Sequence, residues 1–429
     1  MASMIRIQSR SLLSLVSIAA LALAVRMAIV ALWPPARTPL VFEYEELALN
    51  VLSGRGFQWS HLGLDYQSMR PLFPYLCAIV YALTGTSHVA MLVIQGLTSG
   101  ATAAAAYGLG RALDIRPAGI IAGLAVALEP GQLYFDVTRI QPVGLQALLF
   151  TLTLVGLIAL LETPRPAMAA VIGLVAGLAA YERGTIVFFI PVALALVARR
   201  HRLSLRRALG LTAIVILAAV AVHVPWIVRN QLVYGRFVAI MTPGPELLWI
   251  GNNPRATGSA VDAEGRPMFD GAPATLRKDV LGARDEFTQQ ARFRDEVRRY
   301  LDEKPGEAAV LYARKVFHSW WFGPHAGALY PAKWFSLYKV VYALTLVAAL
   351  WGLARGLSGP ARSAAIMVAA FLIIVPLVQS VFFVEGRHRL VVMPVLLALS
   401  AAGVLDVVIR TFALAGRRRL AADVVPGNG

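Results

Sequence analysis

Long apolar runs separated by short polar breaks dominate this chain. A helix needs about 20 apolar residues to cross the hydrocarbon core of a bilayer. Runs that approach this length predict ten spanning helices, near residues 11-33, 88-110, 117-130, 141-161, 166-181, 184-198, 208-227, 335-354, 363-383 and 389-409. The run at 71-85 is short and holds two prolines, so we expect it to lie along the membrane interface or to re-enter. The pattern therefore predicts an all-α polytopic membrane protein with interfacial helices.

Composition agrees with this prediction and narrows the possible partners. Of 429 residues, 58% are hydrophobic and 15% charged, and the mean hydropathy of +0.65 excludes an ordinary soluble domain. The net charge of +16 comes from arginines in the short breaks, which indicates anionic lipid headgroups and no nucleic-acid partner. Cys77 is the sole cysteine, so neither an intramolecular disulfide nor a cysteine-based metal site is expected.

The placement of arginines predicts the topology. If 71-85 does not span, the basic breaks all fall on the side of the N-terminus, which the positive-inside rule makes cytoplasmic. These breaks are 111-116, 198-207, Arg355 with Arg362, and 417-419. We expect both termini in the cytoplasm and an uncleaved first span. The extracytoplasmic side then holds residues 34-87, 131-140, 181-185, 228-334 and the stretch VEGRHR at 384-389.

The same breaks predict three parts in the chain. Residues 1-227 form an N-terminal transmembrane catalytic module that includes the first loop, 34-87. Residues 228-334 form a mixed extracytoplasmic segment with a helix from Asp285 to Leu301 and another that begins at Pro305. Residues 335-429 supply the last spans and a cytoplasmic tail. No internal repeat is visible, so the best sequence indication of a secondary transporter is missing.

Charged residues gather beside the ends of the predicted spans on the extracytoplasmic side. An ionisable group at membrane depth costs roughly 2.5 to 3.5 kcal/mol, so each is a functional candidate. Arginine suits a phosphate because its planar fork donates two parallel hydrogen bonds and stays charged. The candidates are Glu43, Glu45, Glu46, Arg70, Arg139, Glu182, Arg183, Arg229, Arg387, His388 and Arg389.

Each candidate also has a structural explanation. Arg70 can anchor an interfacial helix, Arg139 can pair with Asp136, and Glu182 can pair with Arg183.

Arg229 follows Trp226 and can anchor its helix at the interface, and His388 alone is compatible with a structural role. Anchoring explains Arg387 and Arg389 less well, because two arginines and a histidine within three residues exceed what anchoring needs.

The acidic stretch 42-57 has helical character and offers Glu43, Glu45 and Glu46 either as a solvated face or as a base. A carboxylate beside an arginine cluster can take a proton from a hydroxyl while the cations stabilise a departing phosphate. The chain has no DxD motif, P-loop or GxGxxG motif to hold a nucleotide-sugar, and its histidines lack the spacing of metal ligands. We therefore expect no metal or cofactor.

Landmarks in a fixed order give the chain a family resemblance. They are LALNVLSGRGF, RPLFPYLCAIVYALTG, a helix with Gln95, ALEPG, PWIVRN, YGRF, IGNNPRATG, YARKVFHSWW and GRHRLVVMP. This order resembles the C-type membrane glycosyltransferases (GT-C) that use polyprenyl-phosphate sugars, in the branch of bacterial protein mannosyltransferase-like and lipid A aminoarabinose transferase-like enzymes. The resemblance implies the GT-C fold.

The resemblance also implies roles for individual residues. Glu43 best matches the acid of the first loop, which is catalytic or positions the acceptor, with Glu45 and Glu46 as rivals. Gln141 stands where relatives carry an acid. Arg70, Arg387 and Arg389 would hold the lipid phosphate, and Asn252 would help to shape the sugar or acceptor pocket.

The implied function is an inverting glycosyltransferase of the bacterial inner membrane. It would move a sugar from a polyprenyl-phosphate donor to an extracytoplasmic glycan, lipid or protein. Two alternatives remain from the sequence. One is a lipid-linked oligosaccharide ligase or polymerase, which transfers whole glycans. The other is a flippase or transporter of lipid-linked glycans, for which charges strung from face to face of the membrane are expected.

Overall fold

The computed structural model describes residues 9–113, 116–323 and 332–423. In this part the chain is almost entirely helical, and the end of the predicted outer segment, 324-331, lies outside it. The helices are α1 (Ser9–Leu32), α2 (Glu43–Leu52), α3 (Leu72–Thr84), α4 (His88–Ala112), α5 (Arg116–Ala127), α6 (Pro130–Thr138), α7 (Val143–Glu162), α8 (Pro166–Glu182), α9 (Ile190–Arg200), α10 (Leu205–Tyr234), α11 (Gly244–Ile250), α12 (Ala274–Leu281), α13 (Glu286–Glu303), α14 (Pro305–Trp320), α15 (Ala332–Ser358), α16 (Arg362–Gln379), α17 (Gly386–Leu390) and α18 (Met393–Asp423). An antiparallel hairpin, β1 (Trp59–His61) and β2 (Leu64–Tyr66), follows α2.

Within the described residues, seven helices are long and apolar enough to cross a membrane: α1, α4, α7, α10, α15, α16 and α18. The number rises to eight if α5 and α6, which meet at an angle of 41°, form one bent span. The polytopic helical architecture is confirmed, but the count of ten is not reached by this measure. The predicted span at 166-181 is a helix of 17 residues, and the one at 184-198 divides into a 3-10 turn, Gly184–Phe188, and the 11-residue α9.

The run at 71-85 forms the 13-residue helix α3, which is too short to cross a bilayer by itself. Pro71 caps α3 and Pro74 lies in its first turn, where a proline costs no helical hydrogen bond. The helices predicted near 285-301 and from Pro305 are also present, as α13 and α14.

Small residues let the long helices pack closely. A Cβ atom added at Gly100 in α4 would lie 2.8 Å from the carbonyl oxygen of Ala19 in α1, and one at Gly177 in α8 would lie 2.8 Å from that of Ala219 in α10. Such contacts between backbones are typical of helix packing in membranes, where lipid leaves little hydrophobic drive for helix association. The resulting core consists mainly of Ala, Leu and Val side chains, many of them from α4, α5, α7, α8, α16 and α18.

A polar cap, which we define as residues 42-70 and 235-303, covers one end of the helices. Its own core packs Trp249 of α11 against Phe293 and Val297 of α13. The hairpin joins this core because the Tyr66 hydroxyl donates to Gln289 Oε1 at 2.6 Å. The candidate residues meet in a cleft below this cap.

Candidate active site

Side chains from distant parts of the chain line one cleft between the polar cap and the ends of α7 and α8. Its empty space, including the open mouth, is about 1040 Å³. The lining residues are Glu43, Tyr44, Trp59, His61, Met69, Arg70, Gln141, Pro142, Val143, Gln146, Arg183, Pro243, Glu246, Leu247, Ile250, Phe383, Arg387 and His388. The structure thus brings together five of the predicted site residues: Glu43, Arg70, Arg183, Arg387 and His388.

Each arginine of the cleft is held by its local structure. Arg70 precedes α3, and its Nη1 donates to the carbonyl oxygen of Glu182 at 3.1 Å. Arg183 follows α8 and donates from Nη1 to Gln379 Oε1 at 2.6 Å and from Nε to Gln146 Oε1 at 3.2 Å.

Arg387 lies in the single-turn helix α17 and pairs with Glu385 Oε2 at 2.7 Å. Glu385 caps this helix, and its backbone N–H donates to His388 Nδ1 at 3.2 Å. The cap therefore fixes Arg387 and His388 together at the cleft.

The electrostatics of the cluster are those of an anion site. Burial lowers the pKa of Arg183, and the charges of Arg70 and Arg387 lower it further. Burial likewise lowers the pKa of His388 well below its usual value, helped by the positive charges of Arg183, Arg387 and Arg70. A group such as Arg183, whose charged form is disfavoured by burial and by neighbouring cations, is stabilised by an incoming negative charge.

Of the three candidate glutamates in α2, only Glu43 lines the cleft. Among the described residues, no hydrogen bond engages its carboxylate. Glu45 Oε2 instead accepts from the Tyr81 hydroxyl at 2.6 Å and from His88 Nε2 at 2.9 Å. Glu46 Oε1 accepts from the backbone N–H of Ser60 at 2.9 Å and supports the hairpin.

Arg139 lies away from the cleft. It is buried over the rings of Tyr134 and Phe135, with its Cζ 5.1 Å and 4.7 Å from the ring centroids. The alternative pairing of Arg139 with Asp136 does not occur, because Asp136 Oδ2 binds Arg26 Nε at 2.7 Å.

Arg229 and Asn252 also face other partners. The Arg229 guanidinium stacks on Trp226, with its Cζ 4.8 Å from the ring centroid, and donates to the carbonyl oxygen of Gln67, which fixes the polar cap to α10. Asn252 Oδ1 accepts from the buried Lys315 Nζ at 2.8 Å. Burial lowers the pKa of Lys315 to about 8.

Arg389 and Glu182 are buried beside the cleft without lining it. The guanidinium of Arg389 lies over Phe322 and Tyr342, with its Cζ 4.1 Å and 4.4 Å from the ring centroids. Glu182 is fully buried at the end of α8, and its Oε1 accepts from the backbone N–H of Phe73 at 3.0 Å.

An apolar groove of about 890 Å³ adjoins the cleft and shares Arg70, Arg183 and His388 with it. Its other lining residues are mainly apolar and include Phe188, Ile240, Met241, Val378 and Phe382. Glu182 lines the groove as well. The basic part of the cleft therefore opens directly onto a surface that suits a hydrocarbon chain.

The cleft is also lined by Trp59, His61, Gln146 and Glu246, which no sequence pattern had indicated as site residues. His61 Nε2 lies 2.9 Å and 2.8 Å from the two carboxylate oxygens of Glu246, which is 185 residues away in sequence. No spacing rule indicates such a pair. The alternating stretch WSHLGLDY around a glycine was the available signal for the hairpin that carries His61.

No three His, Cys, Asp or Glu side chains of the described residues come together as a metal-binding group. In the cleft, both carboxylate oxygens of Glu246 lie within hydrogen-bond distance of His61, and Glu43 is the other carboxylate of the lining.

Comparison with known proteins confirms the expected resemblance. Residues 68–226 match the family described as dolichyl-phosphate-mannose-protein mannosyltransferase. The match includes Arg70, Arg183, helices α3 to α9 and most of α10. No curated protein sequence matches the chain.

Solved structures show which fold the chain adopts. The archaeal oligosaccharyltransferase AglB from Archaeoglobus fulgidus, in complex with an inhibitory peptide and a dolichol-phosphate, matches with a TM-score of 0.57 and 16% identity over 97% of this chain. The same enzyme tethered to an acceptor peptide gives a TM-score of 0.57 and 17% identity over 94% of this chain.

ArnT from Cupriavidus metallidurans bound to undecaprenyl phosphate gives a TM-score of 0.41 and 15% identity, over 91% of this chain and 77% of ArnT. The chain spans about half of the length of AglB, 52% and 50% in the two comparisons. The two matches with AglB show that the chain has the fold of the C-type membrane glycosyltransferases, and residues 68–226 match the mannosyltransferase family.

Proposed function

We propose that the protein is an inverting glycosyltransferase of the bacterial inner membrane that moves a sugar from a polyprenyl-phosphate donor to an extracytoplasmic acceptor. The observation that carries the proposal is the meeting of Arg70, Arg183 and Arg387 in one cleft whose basic part continues into an apolar groove. A polyprenyl phosphate has the same two parts, an anion and a long hydrocarbon. The dolichol-phosphate in the AglB complex supports this class of ligand.

In the proposed reaction, the arginines bind the phosphate that links lipid and sugar. An acceptor hydroxyl attacks the anomeric carbon, the bond between this carbon and the phosphate oxygen breaks, and polyprenyl phosphate leaves with the electron pair. Glu43 takes the hydroxyl proton, since it is the α2 carboxylate that lines the cleft. The arginines stabilise the charge that develops on the leaving phosphate, an effect worth about 10²- to 10³-fold per donor in comparable sites.

The test is a mass-spectrometric assay of the purified protein in lipid with a panel of polyprenyl-phosphate monosaccharides. We expect free polyprenyl phosphate to appear with at least one donor, and Arg387→Ala and Glu43→Gln to reduce its rate by about 100-fold or more. The donor that is consumed identifies the sugar.

Two variants serve as matched controls. Glu303→Gln changes an exposed glutamate at the end of α13, away from the cleft lining, and Arg294→Ala removes an exposed arginine of the same helix. Both should retain wild-type turnover. Equal losses in the control and cleft variants would refute the assigned site, and failure to consume any donor would refute the proposed transfer.

A second function is favoured by one observation, the fold shared with an oligosaccharyltransferase. In that case the protein transfers a whole lipid-linked glycan, and the product gains the mass of an oligosaccharide. Movement of an intact lipid-linked glycan without cleavage would instead indicate a flippase.

A further inference from the structure

The cleft contains two chemically different parts, and the second has no role in donor binding as described above. Arg70, Arg183 and His388 border both the cleft and the apolar groove. Trp59, His61, Gln141 and Glu246 border the cleft alone. We call these four residues the acceptor patch. The inference below rests on the proposed transfer, because it names the substrate that this patch presents to the donor sugar.

His61 offers the patch a fixed hydrogen-bond acceptor. Since the Glu246 carboxylate can only accept, His61 Nε2 carries the hydrogen that lies between the two carboxylate oxygens, and in the neutral imidazole Nδ1 is then the acceptor. No described group donates to Nδ1. Glu246 is itself buried, and its backbone N–H donates to Gln290 Oε1 at 2.9 Å, which holds Glu246 in place. The tautomer and the ring orientation of His61 are thereby set.

Gln141 offers a second acceptor. Its residue is 6% exposed, and its Oε1 has no hydrogen-bond partner in the described structure. The backbone N–H of Gln141 donates to Gln95 Oε1 at 3.0 Å, which fixes the position of the residue while leaving the side-chain carbonyl unused. A buried acceptor without a partner reduces stability unless water or a ligand binds it.

Trp59 adds a donor and an apolar surface. Its ring stacks on His61 with centroids 4.4 Å apart and an interplanar angle of 23°. The indole Nε1 is buried and has no partner among the described residues. The lining of the cleft therefore includes two unpaired acceptors, one unpaired donor and an aromatic ring.

From this combination we infer that the acceptor is a carbohydrate, bound through neighbouring hydroxyl groups. Each sugar hydroxyl donates and accepts, so adjacent hydroxyls can satisfy Gln141 Oε1, His61 Nδ1 and Trp59 Nε1 together, while the apolar face of the sugar ring meets an aromatic side chain. A single serine or threonine hydroxyl satisfies fewer of these groups. An anionic acceptor is disfavoured, because in the proposed transfer the donor phosphate occupies the arginines, and the remaining charged groups of the lining are the carboxylates of Glu43 and Glu246.

The test offers three acceptor probes to the purified protein in lipid, together with the panel of polyprenyl-phosphate monosaccharides. The probes are octyl glycosides of the common hexoses, a serine- and threonine-containing decapeptide, and dodecyl phosphate. Mass spectrometry then identifies any product that has gained a sugar. We expect one or more octyl glycosides to be glycosylated and the other two probes to remain unchanged.

Variants separate the acceptor patch from donor binding. Gln141→Leu removes an amide that makes no side-chain hydrogen bond in the described structure, so it should fold normally. It should raise the KM for the octyl glycoside about tenfold, the effect of one lost hydrogen bond, with the donor KM unchanged. His61→Ala should do the same. His88→Ala is the matched control, because His88 forms the same kind of pair with Glu45 outside the cleft lining.

The outcomes distinguish this inference from the proposed function. Glycosylation of the peptide or of dodecyl phosphate, or donor hydrolysis without any glycoside product, overturns the carbohydrate acceptor while polyprenyl-phosphate chemistry stands. A donor KM that rises with the acceptor KM in Gln141→Leu also overturns it. If no donor is consumed under any condition, the proposed transfer itself fails.

Discussion

Arg26 and Asp136 form the most deeply buried ion pair that the structure describes, between α1 and α6, with 1% and 3% of the side chains exposed. Arg26 also donates to the carbonyl oxygens of Ala22 and Ala127, at 2.9 Å and 3.0 Å. We expect Asp136→Ala to lower the free energy of unfolding by about 3 to 5 kcal/mol, because it leaves a guanidinium buried without a counter-charge. Thermal unfolding of the purified protein in detergent measures the loss.

The reverse variant should be milder. In Arg26→Met, the Asp136 carboxyl keeps Gln132 Nε2 as a donor at 2.6 Å and can take up a proton, whereas a guanidinium cannot lose one. A loss in Arg26→Met as large as that in Asp136→Ala would contradict this explanation of the pair.

His388 should make stability depend on pH. Its pKa in the folded protein lies well below the usual 6.5, because of burial and the nearby Arg183, Arg387 and Arg70. Below pH 6.5 the unfolded chain binds a proton at His388 that the folded chain does not bind, so acid favours unfolding. We expect the unfolding temperature to fall between pH 7.5 and 5.5, and to fall less in His388→Asn. Equal slopes for the two proteins would contradict the expectation.

Sequence reasoning found Arg70, Arg183 and Arg387 but grouped them with neighbours that face elsewhere. Residues two positions apart on a helix lie on different sides of it. The single turn of α17 therefore directs Arg387 into the cleft and Arg389 onto Phe322. The same geometry in α2 separates Glu43 from Glu45. The helical character of α2 was predicted but not which of its faces meets the cleft, and the helix α17 was not predicted at all.

Helix packing at the scale of whole elements depends on which glycines face a neighbour. In α4, a Cβ at Gly100 would lie 2.8 Å from the carbonyl oxygen of Ala19 and 3.3 Å from its Cα, whereas one at Gly108 would meet nothing within 4 Å. We expect Gly100→Ala to destabilise the protein because α1 must move away. Gly108→Ala should be neutral or should stabilise by about 0.5 to 1 kcal/mol, since alanine favours the helix.

These two variants change the same residue type in one helix, so their difference isolates the contact with α1. Unfolding temperatures in one detergent provide the comparison. If both variants lose stability equally, the contact with α1 does not explain the loss in Gly100→Ala.

The elements themselves were largely predictable, but the breaks in them were not. Hydropathy predicted an uninterrupted span at 184-198, whereas the structure divides it after the turn that follows Gly184. Hydropathy is averaged over many residues, so it does not reveal a local change of backbone direction. The hairpin was missed for a related reason. Its strands have three residues each, and its turn places Leu62 at φ 47°, an unusual conformation for a leucine.

For the whole molecule, the sequence predicted the fold through the order of its apolar runs and landmarks. The convergence of Arg70, Arg183 and Arg387 depends on how α3, α8 and α17 pack, and that is a property of the assembled helices. The orientation in the membrane, which rests on the arginine pattern, remains a prediction. The division of the chain at 227 and 335 remains a prediction as well. A labelling experiment can test the orientation directly.

The sole cysteine makes that experiment simple. Cys77 is buried, so the unmodified protein should resist a membrane-impermeant maleimide in intact cells of a bacterial host. Helix α10 has 30 residues and is about 45 Å long, so Arg199 before it and Arg294 in the polar cap lie toward opposite ends of the molecule. Both side chains are exposed. We expect Arg294→Cys to be labelled in intact cells and Arg199→Cys only after permeabilisation, because the positive-inside rule places the basic break at 198-207 in the cytoplasm. The opposite pattern would invert the topology and put the arginine cleft on the cytoplasmic face.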